Sequence, residues 1–321
     1  MKKNYFKVLA MALLVLCTSV ALVSCSDEPK KPHDEVGNKL HDDPYKAVLT
    51  MASGHFHGVK FHQNADPVGA KYMKAVQTIT FIYTEGKGWV PEAGSETMFR
   101  ILSGTKESIA AYGLWIRYYN KQGEDITGQF IENNQDQIHQ HFFIPKDVKP
   151  VTAIGGVAQA DDNDPSTIFE YTYMDTTPWN KTLKDEGTEL TGSKNPIGFK
   201  GYFNFLKDRK NLTLRIKLMH ARTSKFKDGK ASPYYAPSNA QLAGDHWDVE
   251  IDIPVLVYYS RAEENNWESD SDVPYDKLLD NEKRMINAIA YAYGISNQEA
   301  LDAFNLRITG DTDHESGSLW F

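Results

Sequence analysis

Cysteine is nearly missing from this chain: among 321 residues only Cys17 and Cys25 occur, both near the amino terminus. The remainder can build neither a disulfide framework nor a thiolate metal site. Any metal ligand there is His, Asp, Glu, Tyr or backbone oxygen, donors that suit Zn, Cu(II), Ni or Fe. Basic runs are also absent and the formal net charge is -8, which argues against nucleic acid as a partner. The one long apolar run, Val8 to Val23, falls short of the roughly 20 residues that span a bilayer. There is no His-Glu-x-x-His helix and no Gly-x-Ser-x-Gly elbow, so no familiar hydrolase signature is present.

What stands at the amino end is a basic segment, Met1 to Lys7, then the apolar run, then Leu22-Val23-Ser24-Cys25. Basic, apolar and small residues in that order predict a secretory signal over residues 1–24. Leu-Val-Ser-Cys resembles the lipobox of bacterial lipoproteins, and that resemblance implies that Cys25 carries lipid and anchors the chain to a membrane. The acidic pair Asp27-Glu28 resembles the tether of Bacteroidota surface lipoproteins, which implies a cell-envelope, outer-membrane location. Residues 25–44 are polar and aperiodic and read as a flexible tether. His33 and His41 fall inside it and are expected to be solvated bystanders.

Beyond the tether the pattern is mainly β. Tyr45–Met51, Thr78–Tyr83, Thr97–Leu102, Tyr112–Asn120 and Ile138–Ile144 read as strands separated by Gly, Pro and Asn turns, the mark of a sandwich or barrel. The small, acidic stretch Pro150–Pro165 suggests a boundary. It divides a first β-sandwich domain, 45–150, from a second, 151–262. The second holds Ile168–Tyr173, Gly198–Leu206, Leu212–His220 and Asp248–Tyr259. A weak echo between the halves leaves duplication open. From 263 to 321 the period turns helical: apolar residues from Leu278 to Tyr293 stop at Gly294, and Ser296-Asn297-Gln298-Glu299 is a capping box, together predicting a helical hairpin. Asn305–Thr309 reads as one more strand.

Histidine carries the functional signal. His55, His57 and His62 lie within eight positions, and His139 and His141 repeat the His-x-His spacing. Residues i and i+2 of a strand share a face, so two such strands side by side would aim four imidazoles at one ion. The expectation is a single centre of His55, His57, His139 and His141, with His62 in reserve. Gly54 and Gly58 would let the backbone approach it, and Phe56, Phe142 and Phe143 would wall it from water. Zinc is the first choice. Haem held by two axial imidazoles is a variant, and the alternative is that the pairs are structural, hydrogen-bonded histidines. A second possible group is His220, Asp245, His246 and Asp248, against which stands a Trp247-anchored turn whose aspartates satisfy backbone donors. The acidic strings beginning at Asp161, Asp270 and Asp311 lack the glycine and terminal glutamate of a calcium loop.

Three functions follow. A transition-metal-binding envelope lipoprotein, working with a TonB-dependent outer-membrane transporter, is the first. A glycan-binding surface lipoprotein using Trp89, Trp115, Trp179, Trp247 and Trp267 as platforms is the second. A zinc-dependent hydrolase is the third, and the missing signatures weigh against it.

Overall fold

In a computed structural model, residues 39–315 and 319–321 are described. The signal segment, Cys25 and His33 lie outside them. The strands in chain order begin with β1 (Lys46–His57), β2 (Lys60–Gln63), β3 (Asp66–Pro67), β4 (Val76–Thr84) and β5 (Gly88–Pro91). They continue with β6 (Phe99–Ser103), β7 (Ala111–Tyr119), β8 (His139–Pro150), β9 (Phe169–Tyr173) and β10 (Thr176–Thr177). The last are β11 (Glu189–Leu190), β12 (Lys200–Phe205), β13 (Lys210–His220), β14 (His246–Ser260) and β15 (Thr312–Asp313). Helices are α1 (Asn239–Gly244), α2 (Arg261–Asn265), α3 (Asp280–Tyr293) and α4 (Asn297–Thr309).

Two sheets dominate. One runs β5-β4-β1-β7-β12-β9 with β2 paired to β1, and the other runs β6-β14-β13-β8. Pairing is antiparallel except between β14 and β6. Alternation explains the packing: Leu212, Leu214, Ile216 and Leu218 of β13 are all buried, as are Val249, Ile251, Ile253 and Val255 of β14. Leu114, Ile116 and Tyr118 of β7 join them in one apolar core.

The mainly-β expectation holds, as does the helical end. The boundary drawn near 150 does not divide the folded body. β9 and β12, from beyond it, complete the sheet that β1 and β7 begin, while β6 and β8, from before it, sit with β13 and β14. Each half alone would leave sheet edges unpaired and an apolar face uncovered, which is the physical reason the halves interleave. The described residues accordingly all fall in one compact unit.

α3 is acidic in its first turn and ends at Gly294 with φ 64°, the left-handed stop that glycine adopts without a Cβ clash. Ser296 and Glu299 make the capping box at the start of α4. Asn305–Thr309, expected as a strand, is the last part of α4, because the capped helix propagates through it. Met285, Ile286 and Ile289 of α3 and Leu301 and Phe304 of α4 are buried. Among the described residues, no helix is long and apolar enough to cross a membrane.

Candidate metal centres

The expected single centre is split in two. Among the described residues, one group that could hold a metal ion is His41, His139, His220 and Asp248, and the other is His55, His57 and His62. His141 belongs to neither.

The first group is assembled by register. β13 pairs with β8 so that His220 faces His139, and both imidazoles are fully buried. Asp248 arrives by a different route. By alternation it belongs with exposed Glu250 and Asp252 on the outer side of β14. A register shift between Leu218 and Met219 pairs Leu218 with Val249 and Met219 with Trp247, leaving Asp248 as the extra residue. A bulge of that kind re-aims a side chain, and the Asp248 side chain is left with no exposed surface. His41 closes the group from the segment before β1.

That segment is not a solvated tether where it meets the body. Lys39 Nζ lies 2.8 Å from Asp248 Oδ1, and the Asp42 amide donates to Gln129 Oε1 at 2.7 Å. His41 is buried and its ring lies 4.2 Å from that of Phe130. Phe130 also meets His139 edge-on, so this phenylalanine walls the group. Phe142 instead packs on Trp247, Phe143 on Tyr171, and Phe56 on Tyr202.

The distances around Asp248 Oδ2 are 3.2 Å to His220 Nδ1, 3.3 Å to His41 Nε2 and 3.6 Å to His139 Nε2. His41 Nε2 and His220 Nδ1 are 3.1 Å apart. A tetrahedral ion with bonds of about 2.0–2.1 Å separates its ligand atoms by about 3.3–3.4 Å. Protons sharpen the fit. His139 Nδ1 donates to the Gln135 carbonyl at 2.9 Å, and His41 Nδ1 donates to the Asp42 carbonyl at 3.0 Å. With the proton on Nδ1, each Nε2 offers a lone pair: that of His139 faces Asp248 Oδ2, itself an acceptor, and that of His41 lies between Asp248 Oδ2 and His220 Nδ1. His139 Nε2 has no hydrogen-bond partner. Burial brings His139 down to about 4, with Asp248 opposing, so the ring is neutral at physiological pH. Asp248 Oδ1 is paired with Lys39 Nζ at 2.8 Å, which leaves Oδ2 to the imidazoles. Two lone pairs and an ionised carboxylate thus share a small dry volume, and a cation between them would answer all three.

The other predicted residues have different duties. His141 Nδ1 donates to the Ile197 carbonyl at 2.8 Å, and its Nε2 lies 2.9 Å from the Tyr118 hydroxyl. Burial lowers it to about 3, so it is a neutral, satisfied core histidine. Asp245 accepts from the Arg222 amide, as the turn reading required. His246 is 46% exposed and lies 3.4 Å from Asp248 Oδ1, the oxygen already held by Lys39. The string at Asp161 spends its carboxylates on Lys207 and Lys210 and on the Ser166 amide.

The second group sits on the β1–β2 hairpin. His55 pairs with His62 across it, and His57 follows His55 by two, so all three share a face. Phe56 and Phe61 alternate onto the opposite face, where Phe61 is fully buried among Phe321 and Ala111. Gly58, at φ 65°, makes the turn. Gly54 is small for another reason: a Cβ there would stand 2.3 Å from the His62 carbonyl and the Phe61 ring. His55 Nε2 lies 3.1 Å from His57 Nε2 and 3.4 Å from His62 Nδ1. His55 and His57 are exposed.

A cleft of ≈ 540 Å³ borders the buried group, lined by Tyr45, Tyr83, Trp89 and Trp247 together with Lys39 and Asp248. Comparison with protein-family models, curated proteins and solved structures gives no match. The geometry is therefore the ground for function.

Proposed function

We propose that this protein binds a transition-metal ion, zinc first, in the buried His41–His139–His220–Asp248 group. One observation carries the reading: lone pairs fixed by carbonyl partners converge with Asp248 Oδ2 at near-tetrahedral spacing. A binding role is favoured over hydrolysis because four protein ligands fill a tetrahedral shell, whereas catalytic zinc keeps a position open. A single ion is favoured over haem because the donors converge on a point, without a flat slot between two opposed imidazoles. The test is metal analysis of the full chain purified without a histidine tag and equilibrated with zinc. About one equivalent fewer in His139→Gln than in wild type supports the reading; equal zinc in the two proteins, or metal-free wild type after equilibration, removes it.

We further propose that the protein is carried at the outer membrane by lipid on Cys25 and hands its ion to a TonB-dependent transporter. The support is the Leu22-Val23-Ser24-Cys25 sequence. Mass spectrometry of the amino-terminal peptide checks it, and an unmodified Cys25 in protein from cells would end it. Glycan binding has one observation in its favour, the aromatic cleft formed by Trp89, Trp247, Tyr45 and Tyr83. A glycan array on the metal-free protein separates that reading from the first.

A further inference from the structure

We infer that the β1–β2 hairpin carries a second, independent metal site, an open tripod of His55, His57 and His62 that takes an exchangeable late first-row divalent ion. It does not rest on the buried group being loaded. The tripod is built from one side of a hairpin whose other side is anchored by Phe61, so its backbone is fixed by packing and not by a ligand. Asn64 Oδ1 accepts from His55 Nδ1 at 2.8 Å, and the Asn64 amide nitrogen is turned to Ser53 Oγ. That partner sets the His55 tautomer, leaving Nε2 as a lone pair toward the other two rings.

The three nitrogens all lie within 4.8 Å of one another, and the spacings of 3.1 and 3.4 Å at His55 Nε2 bracket the edge of a tripod on one ion. Three imidazoles leave at least one coordination position, and the exposure of His55 and His57 opens it to water or to an incoming donor. An all-imidazole set with no charge of its own follows the general order of affinities, so copper(II) binds most tightly and zinc or nickel less so. Trp320 completes the structure. Its indole stacks on His62 at 4.1 Å and on His57 at 5.2 Å, held there by pairing of residue 320 with His62 and by the Phe321 amide bonding to Phe61. It covers two ring faces and places a fluorophore beside the ion.

The experiment is a copper(II) chloride titration of the full chain in detergent, read by equilibrium dialysis and tryptophan fluorescence. Wild type should show a copper step accompanied by quenching. His57→Gln/His62→Gln should lose that step, Trp320→Phe should keep the step and lose its quenching, and His139→Gln should keep both. Loss of zinc in His139→Gln alone would report on the buried group, so the two sites fail separately. A His57→Gln/His62→Gln protein with wild-type melting, copper count and affinity would overturn the inference, and so would loss of the copper step in His139→Gln. Should the double variant not fold, substoichiometric copper(II) on the wild-type chain decides. Broadening of amide resonances over 54–63 and 319–321 supports the site, and unchanged resonances there overturn it.

Discussion

The buried quartet and the open tripod use the same imidazole chemistry and differ in almost everything else. The quartet gathers residues from four distant stretches of chain, carries an ionised carboxylate, and leaves its side chains no exposed surface. The tripod comes from one hairpin, has three neutral donors, and faces solvent on two of them. Long-range assembly makes the first dependent on the whole fold and makes the fold dependent on it. Local assembly makes the second dispensable for stability. A closed shell favours retention of an ion and an open one favours exchange.

The comparison is most sharply broken at Asp248. Asp248→Ala should cost about 3 kcal/mol in denaturant unfolding, the low end for removing one member of a buried ion pair, because His220 Nδ1 loses its buried acceptor while Lys39 keeps Asp43. An effect within about 0.5 kcal/mol, the range of ordinary surface substitutions, would show that the quartet bears no load. Next comes metal removal. Chelation of zinc-loaded protein should lower stability by about 2.7 kcal/mol when the free ion stands at 100 times its Kd, seen as a drop in Tm. The same treatment of His139→Gln should do nothing. His141→Phe is third: stranding the Tyr118 hydroxyl should cost about 1–3 kcal/mol with zinc content unchanged, and loss of zinc would return His141 to the ligand set. The smallest effect is at the tripod, where His57→Ala should change stability by no more than about 0.5 kcal/mol while abolishing the copper step.

Much of this was readable in the residues. Alternation placed Leu212–Leu218 inward and therefore His220 with them, and the capping box at Ser296 marked α4. The cluster of His55, His57 and His62 was visible around Gly58, although it read as part of one centre with His139 and His141 and not as a site of its own. Other features were hidden for definite reasons. His139 and His141 share a strand face, yet their partners, Gln135 and His220 for one and Tyr118 and Ile197 for the other, decide which one is free to bind. Asp248 turns inward through a bulge, and an extra residue in a ladder has no mark in composition. His41 lies in a stretch that reads as tether, since nothing local records that Lys39 and Asp42 find partners far along the chain. The interleaving of the halves was hidden in the same way, because strand order is a property of the sheet and not of any segment.

The seating of Lys39–Asp43 has a mechanical meaning. Tension arriving along the chain from its amino-terminal side reaches this segment before any strand. It meets a clasp made of Lys39 on Asp248, Asp42 on Gln129 and Asn120, and His41 in the quartet. With an ion in place, peeling the segment away requires a coordinate bond to break before β1 feels the load. Without one, three hydrogen-bonded contacts and a buried ring resist alone. Metal loading would thus set the force at which residues 39–43 peel from the body, measurable as a shift in rupture force when the chain is pulled from residue 39 in an optical trap.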